Sequence, residues 1–390
     1  MKIAIISSWL PRECGIATFS RDVASSLKES DKKTEISICA LQEPGSEGRK
    51  YGPEVKWKIR DDKPEDFIEA AETINKSAVE VVFLSHEFGI FGPKDGRNIL
   101  LFLEQIKKPV ISTFHTIPLL SGSRRRKTRL AILKKIAEKS QFVVVTSQNA
   151  AREMVEKFGF EKKKIKVVYH GTPEIPVLSQ KSKERKRKEL GLDKNKIIIL
   201  SPGMIRKSKG LEYAIKALAK IAKQYPEIIY IITGEAHPTK IRNWQYYQHL
   251  QQLVKINKLD ANVKFVDYYL TDEELENYFA ISDIVLLPYL TKEQVSSGVL
   301  AWAMAAGKII ISTPFYYAQE VLKDRGLFIK FRNTASIKEK IKNILKNPQK
   351  NLALAKKARA FGLSTSWKKI AKEYWRILKE ARNSTGADPV

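Results

Sequence analysis

Cysteine is nearly absent from these 390 residues: Cys14 and Cys39 are the only two, and their spacing matches no metal-ligand pattern. So few thiols exclude a disulfide-stapled scaffold and predict two unpaired cysteines in a reducing cytoplasm. Long apolar runs are missing too. No stretch approaches the roughly 20 residues that a membrane-spanning helix needs. The opening MKIAIISSWLPREC is broken too soon by proline and charge to read as a signal peptide, and reads as a first buried strand. The chain has no Walker phosphate loop, no nucleophile elbow and no His/Cys/carboxylate spacing for a metal. It shows no recognised nucleic-acid motif, and few aromatics interleave its basic runs. Metal and cofactor are therefore both expected to be absent.

Positive charge is what the chain has in excess. Seventy Lys and Arg against 43 Asp and Glu give a net charge of +27. Such an excess favours an anionic partner: nucleic acid, a phosphorylated substrate or an anionic membrane surface. Many of these lysines are solvated helix faces, so charge alone does not choose among the three. Hydrophobic residues make up 43%, which suits a folded globular chain with room for two domains.

Short β-branched runs alternate with helical stretches. In the first half they are KIAIISS, TEISICAL, VEVVFLSHE, PVISTFH, QFVVVTS and KIKVVYHG; in the second, KIIILSPG, IIYIITGE, VKFVDYYL, DIVLLPYL, KIIISTPF and GLFIKF. Near-continuous apolar strands alternating with helices predict parallel sheets covered on both faces. Six runs, a Pro- and charge-rich break at 171–196, and six more predict two doubly wound α/β domains. The boundaries read as residues 1–172, residues 173–364, and a terminal helix and tail over 365–390 that packs back on the first domain.

Ligands of parallel sheets collect beyond the carboxyl ends of the strands. His86, His115, His170 and Glu235 all lie at such ends, Glu87 follows His86, and His237 lies just past TGE. Gly15 follows the first strand, where a missing Cβ permits close approach. In LSPGMIRKSKGLEYAIKAL, Gly203, Arg206 and Lys209 form a basic strand-end turn suited to a diphosphate. In LTKEQVSSGVLAWAMAAGK, the turn at Ser296, Ser297 and Gly298 opens an apolar helix whose N–H groups suit phosphate.

PRECGIATFSRDV, GMIRKSKGLEYAIKAL, AMAAGKIIISTPFYYAQEVL and TSWKKIAKEYW resemble motifs of the family 4 nucleotide-sugar glycosyltransferases. SHEFGIFG, STFHTI, VVYHGTP, TGEAHP and QVSSGVLAWAMAAGK resemble the branch labelled mannosyltransferase-like. The resemblance implies the GT-B fold, two facing Rossmann-like domains with a terminal helix crossing back to the first. It implies donor contacts at Gly15, Gly203, Glu235, Glu293, Gln294, Ser296, Ser297 and Gly298. Catalysis would rest on His115, Arg206 and Lys209, with His86 and Glu87 on the acceptor side. Two features depart from the family: its paired glutamates fall on Gln294 and Trp302, and its usual arginine after the first glycine is Met204.

The resemblance thus implies a cytoplasmic, metal-independent hexosyltransferase. Its donor substrate would be a nucleotide-diphosphate sugar, GDP-mannose first, and its acceptor a glycan or glycolipid. The rival enzyme readings are a sugar-nucleotide epimerase and a phosphorolytic enzyme of the same fold. A non-catalytic nucleic-acid-binding protein is the rival of another class. The basic stretch SGSRRRKTRLAILKKIAEKSQ (121–141), with Arg124, Arg125, Arg126 and Lys127, is the candidate for peripheral contact with an anionic inner membrane face.

Overall fold

A computed structural model describes residues 1–118, 123–236 and 241–384. It divides into two units, each described by itself. The first comprises residues 1–171, 293–296 and the chain from Trp367 onward; the second comprises 172–292 and 297–366.

The first unit is built on a sheet of seven strands: β1 (Lys2–Ser7), β2 (Glu35–Gln42), β3 (Val55–Arg60), β4 (Val81–His86), β5 (Val110–Phe114), β6 (Phe142–Val145) and β7 (Ile165–Val167). Their order is β3-β2-β1-β4-β5-β6-β7, and every pairing is parallel. The β4 residues are all buried, as the continuous apolar run requires. One strand was not foreseen. In β3, VKWKIR alternates exposed lysines and arginine with half-buried or buried residues. It lies at the sheet edge, where one neighbour suffices and no apolar run is needed.

The terminal helix Trp367–Asn383 belongs to this unit. Its buried Ile370, Tyr374, Ile377, Leu378 and Ala381 recur at helical spacing. They share a core with Ile3 and Ile5 of β1 and with Phe19, Val23 and Leu27 of the Gly15–Ser30 helix.

The second unit holds six parallel strands: β8 (Ile197–Pro202), β9 (Ile228–Thr233), β10 (Val263–Val266), β11 (Ile284–Leu287), β12 (Ile309–Ser312) and β13 (Leu327–Phe328). Their order is β10-β9-β8-β11-β12-β13. Both sheets therefore reverse their winding once, between β1 and β4 in the first and between β8 and β11 in the second. A reversal opens a crevice at the carboxyl ends of the strands.

Candidate functional site

At the reversal of the second sheet, the chain leaves β8 through Gly203 (φ +105) and passes Arg206 into a tight turn, Lys207–Lys209. It then turns at Gly210 into the Leu211–Ala219 helix. Close packing explains the glycines. A Cβ on Gly234, just past β9, would lie 2.7 Å from the Gly203 carbonyl, and one on Gly210 would collide with the Pro288 carbonyl. The loop is tied down by backbone bonds from Gly203 to Thr233 (3.0 Å), from Ile205 to the Glu235 carbonyl (3.1 Å) and from Leu290 to Ser208 (2.8 Å). Glu235 thus acts on the loop through its backbone.

This anchoring places the Lys209 ammonium 3.8 Å from the centroid of the Tyr289 ring. Tyr289 is buried, stacks on Phe315 with centroids 5.3 Å apart, and accepts a 2.7 Å bond at its carbonyl from the Thr313 hydroxyl. No carboxylate pairs with Lys209 among the described residues; a π face is its partner. Burial, and secondarily Arg206, push its pKa down to about 7. Arg206 is exposed. The sequence did not single out Tyr289, although an aromatic after the strand-terminal Pro288 was a readable signal.

Ser297 caps the Gly298–Ala305 helix, its hydroxyl accepting from the Leu300 N–H at 3.2 Å. No acidic residue occupies the first turn of that helix. Trp302, at the position of the family's second glutamate, is buried and stacks on Phe279 (5.8 Å), so core packing fills that place.

Residues 293–296, expected on the donor side, group instead with the first unit. Gln294 bridges Thr116 just past β5, and the Thr146 hydroxyl donates to the Val295 carbonyl at 2.6 Å. The Gln294 amide turns back to donate to the Ser296 carbonyl at 2.8 Å, and Glu293 is half-buried.

At the ligand end of the first sheet, Gly15 opens its helix with no atom within 4 Å of where a Cβ would stand. Cys14 caps that helix by accepting from the Ala17 N–H. His115 is buried; its Nε2 lies 2.9 Å from the Ser85 hydroxyl, and the Phe19 ring meets it edge-on at 4.5 Å. Burial, then the neighbouring His170 and His86, push its pKa down to about 3, so it is neutral near pH 7. His170 is likewise pushed down to about 4, with Nδ1 bonded to the Gly171 carbonyl at 2.8 Å.

His86 requires a correction. Expected to face an acceptor, it is fully buried, stacked on Phe91 (5.5 Å) and edged by Phe88 and Phe114. The large apolar side chains of FGIF and STF close over the strand end. Glu87 beside it stays half-buried and accepts from the Thr116 hydroxyl at 2.7 Å. His237 lies outside the described residues, as do Ser121 and Gly122. No group of three or more His, Cys, Asp or Glu suited to a metal occurs among the described residues.

The basic stretch forms the Arg124–Lys139 helix, whose Ile132, Leu133, Ile136 and Ala137 are buried, so its apolar side packs inward. Arg125 and Arg129 both pair with Asp95, at 2.8 and 2.7 Å, and Arg126 donates to the Pro118 carbonyl. No helix among the described residues is long and apolar enough to cross a membrane.

Residues 15–174 match the family model Glycosyltransferase Family 4, and residues 182–361 match Glycosyl transferases group 1. An uncharacterized glycosyltransferase of Methanocaldococcus jannaschii is 30% identical over 259 residues, 64% of this chain and 61% of that protein. A D-inositol 3-phosphate glycosyltransferase of a Nocardioides species is 22% identical over 63% of this chain and 55% of its own length. The matched regions therefore span little more than half to three-fifths of these relatives. Among solved structures, sucrose-phosphate synthase from Thermosynechococcus elongatus superposes with a TM-score of 0.80 at 18% identity, covering 98% of this chain and 100% of that one. Anabaena HepE in complex with UDP and glucose gives 0.77 at 17% identity, covering 97% and 100%. The chain carries a Glycosyltransferase Family 4 domain followed by a glycosyl transferases group 1 domain, in the GT-B fold of two parallel-sheet α/β units.

Proposed function

We propose that the protein is a hexosyltransferase whose second unit binds a nucleotide-diphosphate sugar, mannose from GDP-mannose being the first choice, for transfer to a glycan or glycolipid. The observation that carries this reading is Lys209. A cation with no carboxylate partner among the described residues, held over an aromatic ring at the reversal of a parallel sheet, suits a diphosphate. Arg206 adds a second positive charge to the same turn. As the sugar leaves, negative charge grows on the diphosphate, and both cations stabilise it. The N–H groups at the Ser297–Gly298 helix start are further donors to the phosphates, and Gly203, lacking a Cβ, lets the donor approach the turn. His115, neutral at physiological pH, orients the sugar through a hydrogen bond. Support for the donor class comes from HepE, solved with UDP and glucose and with UDP-glucose.

A thermal-shift screen of GDP, UDP, ADP and their sugars tests the reading. At 100 times its dissociation constant a ligand stabilises by about 2.7 kcal/mol. One base is expected to stand out, and Lys209→Ala to abolish its shift. The reading falls if no nucleotide diphosphate raises the melting temperature, or if Lys209→Ala responds as the parent does.

A further inference from the structure

The Ile241–Ile256 helix of the second unit has an outer face unlike the rest of this basic chain. Charged residues make up 29% of the sequence, yet the 16 residues of this helix include only Arg242 and Lys255. The Gln180–Glu189 helix, by contrast, is QKSKERKRKE. Inward, Tyr246, Tyr247, Leu250 and Val254 are buried in the core of the unit. The Tyr246 hydroxyl accepts from the Leu211 N–H at 3.0 Å and donates to the Glu212 carboxylate, which fixes the helix in place. Outward, Ile241, Gln245, Gln248, Gln252 and Ile256 recur at helical spacing, and all are exposed. Ile256 and Ile241, 77% and 70% exposed, are the two most exposed large apolar side chains among the described residues. Trp244 on the same face is 42% exposed.

A single exposed isoleucine is ordinary; two with a tryptophan on one sparsely charged helix face mark a contact surface. The charge of the chain decides what covers it. Two copies at +27 each repel, so they can meet only where basic side chains are thin, as they are here. An anionic membrane or a polyanion would favour a lysine-rich face instead. The pattern is also its own complement. An antiparallel pairing with the same helix of a second copy, centred between Gln248 and His249, sets Ile241 opposite the partner's Ile256. It sets Gln245 opposite the partner's Gln252. A glutamine amide both donates and accepts, so two of them pair without charge. We propose that the outer face of the Ile241–Ile256 helix is a homodimer interface, in which the helix packs antiparallel on its copy about a two-fold axis.

Sedimentation velocity of the full chain across the micromolar range tests the interface. One pair of four-turn helices lies at the small end of specific interfaces, so a dissociation constant on the order of 10 μM is expected. Ile241→Lys and Ile256→Lys should each weaken association about 100-fold, because the two-fold axis loses the contact twice. Both positions are solvent-exposed in the single chain, so melting temperatures should not change. The geometry has its own test. Chains carrying Gln245→Cys and Gln252→Cys should cross-link on oxidation when mixed, and neither should cross-link alone. Four results overturn the proposal: the parent stays monomeric throughout; both lysine variants associate as the parent does; either cysteine variant cross-links alone as readily as the mixture; or a monomeric parent binds zwitterionic vesicles and loses them on Ile241→Lys, which would assign the face to lipid.

Discussion

The ligand ends of the two sheets are made in opposite ways. In the second unit, a lysine stands over an aromatic ring with no carboxylate beside it among the described residues. In the first, the imidazoles are held neutral and the arginine nearest the strand ends is matched by acidic groups. Both sheets reverse winding at the same kind of point, so topology supplies a crevice in each. The side chains decide what each crevice can hold. Unpaired positive charge suits an anion; charge matched from within does not.

The largest expected effect breaks the second unit's side of this contrast. Lys209→Ala should lower transfer about 100-fold, close to 3 kcal/mol of transition-state stabilisation, with an unchanged melting temperature. Arg206→Ala, being exposed, should cost less. The pH dependence follows from the direction of the Lys209 shift. Its pKa near 7 in the free protein lies below that of an ordinary lysine, and a diphosphate favours the charged form. Nucleotide binding should therefore take up a proton around pH 7 to 8, seen by calorimetry in buffers of different ionisation enthalpy, and Lys209→Ala should remove that uptake. Tyr289 sharpens the same point. Tyr289→Phe keeps the ring and should bind nucleotide like the parent. Tyr289→Leu loses the cation–π contact, about 1 to 2 kcal/mol, or about 5- to 30-fold in affinity. Equal affinities in the two variants would remove the ring from the account.

The next prediction concerns the first unit's neutral imidazoles. Native pKa values of about 3 for His86 and His115 and about 4 for His170 lie below the unfolded value of 6.5. Between those limits the unfolded chain binds more protons, so stability rises with pH across that window and is lost as pH falls from 6.5. Each imidazole contributes up to about 1.4 kcal/mol per pH unit. Denaturant titrations from pH 7 to 4.5 should show the slope, and His86→Phe, which replaces an enclosed imidazole among three phenylalanines, should flatten it. His115→Ala should lower transfer about tenfold while leaving affinity for free nucleotide diphosphate unchanged. A comparable loss in both would make it a structural residue.

How much of this was legible in the sequence follows from what each feature depends on. The buried strands show as apolar runs because both faces of a parallel sheet are covered, and β3 does not because it sits at an edge with alternate residues in water. The basic turn at Arg206–Lys209 was readable because glycines and lysines follow a strand locally. The pairing of Lys209 with Tyr289 was not, since it joins loops 80 residues apart in sequence. The same holds for the ion pair of Arg12 with Glu43, at 3.1 Å, which joins the loops after β1 and β2. His86 failed for a related reason: its place at a strand end was visible, but the phenylalanines that close over it come from its own loop and from β5. Residues 293–296 read as one passage with the helix after them, yet their backbone is claimed by Thr116 and Thr146 of the first unit.

The smallest expected effect tests whether positive charge in the first unit is neutralised from within. Four basic residues, Arg124 to Lys127, read as a contact for anionic headgroups, but Arg125 is held by Asp95 together with Arg129, and Arg126 is turned onto the Pro118 carbonyl. Arg124 and Lys127 remain exposed without an ion pair among the described residues. Near an anionic leaflet each free basic side chain is worth about 1 kcal/mol, so replacing these two by Ser should weaken co-sedimentation with anionic vesicles by about fivefold per residue at low salt. Replacing Arg125 should do little. Asp95 adopts a positive φ of 59°, which Asn tolerates, so Asp95→Asn releases Arg125 and Arg129 without straining the turn. Vesicle binding should then increase and remain sensitive to salt. Unchanged binding in Asp95→Asn would show that the ion pairs do not govern the charge this face presents. Absence of binding to anionic vesicles in the parent would remove the membrane from its partners.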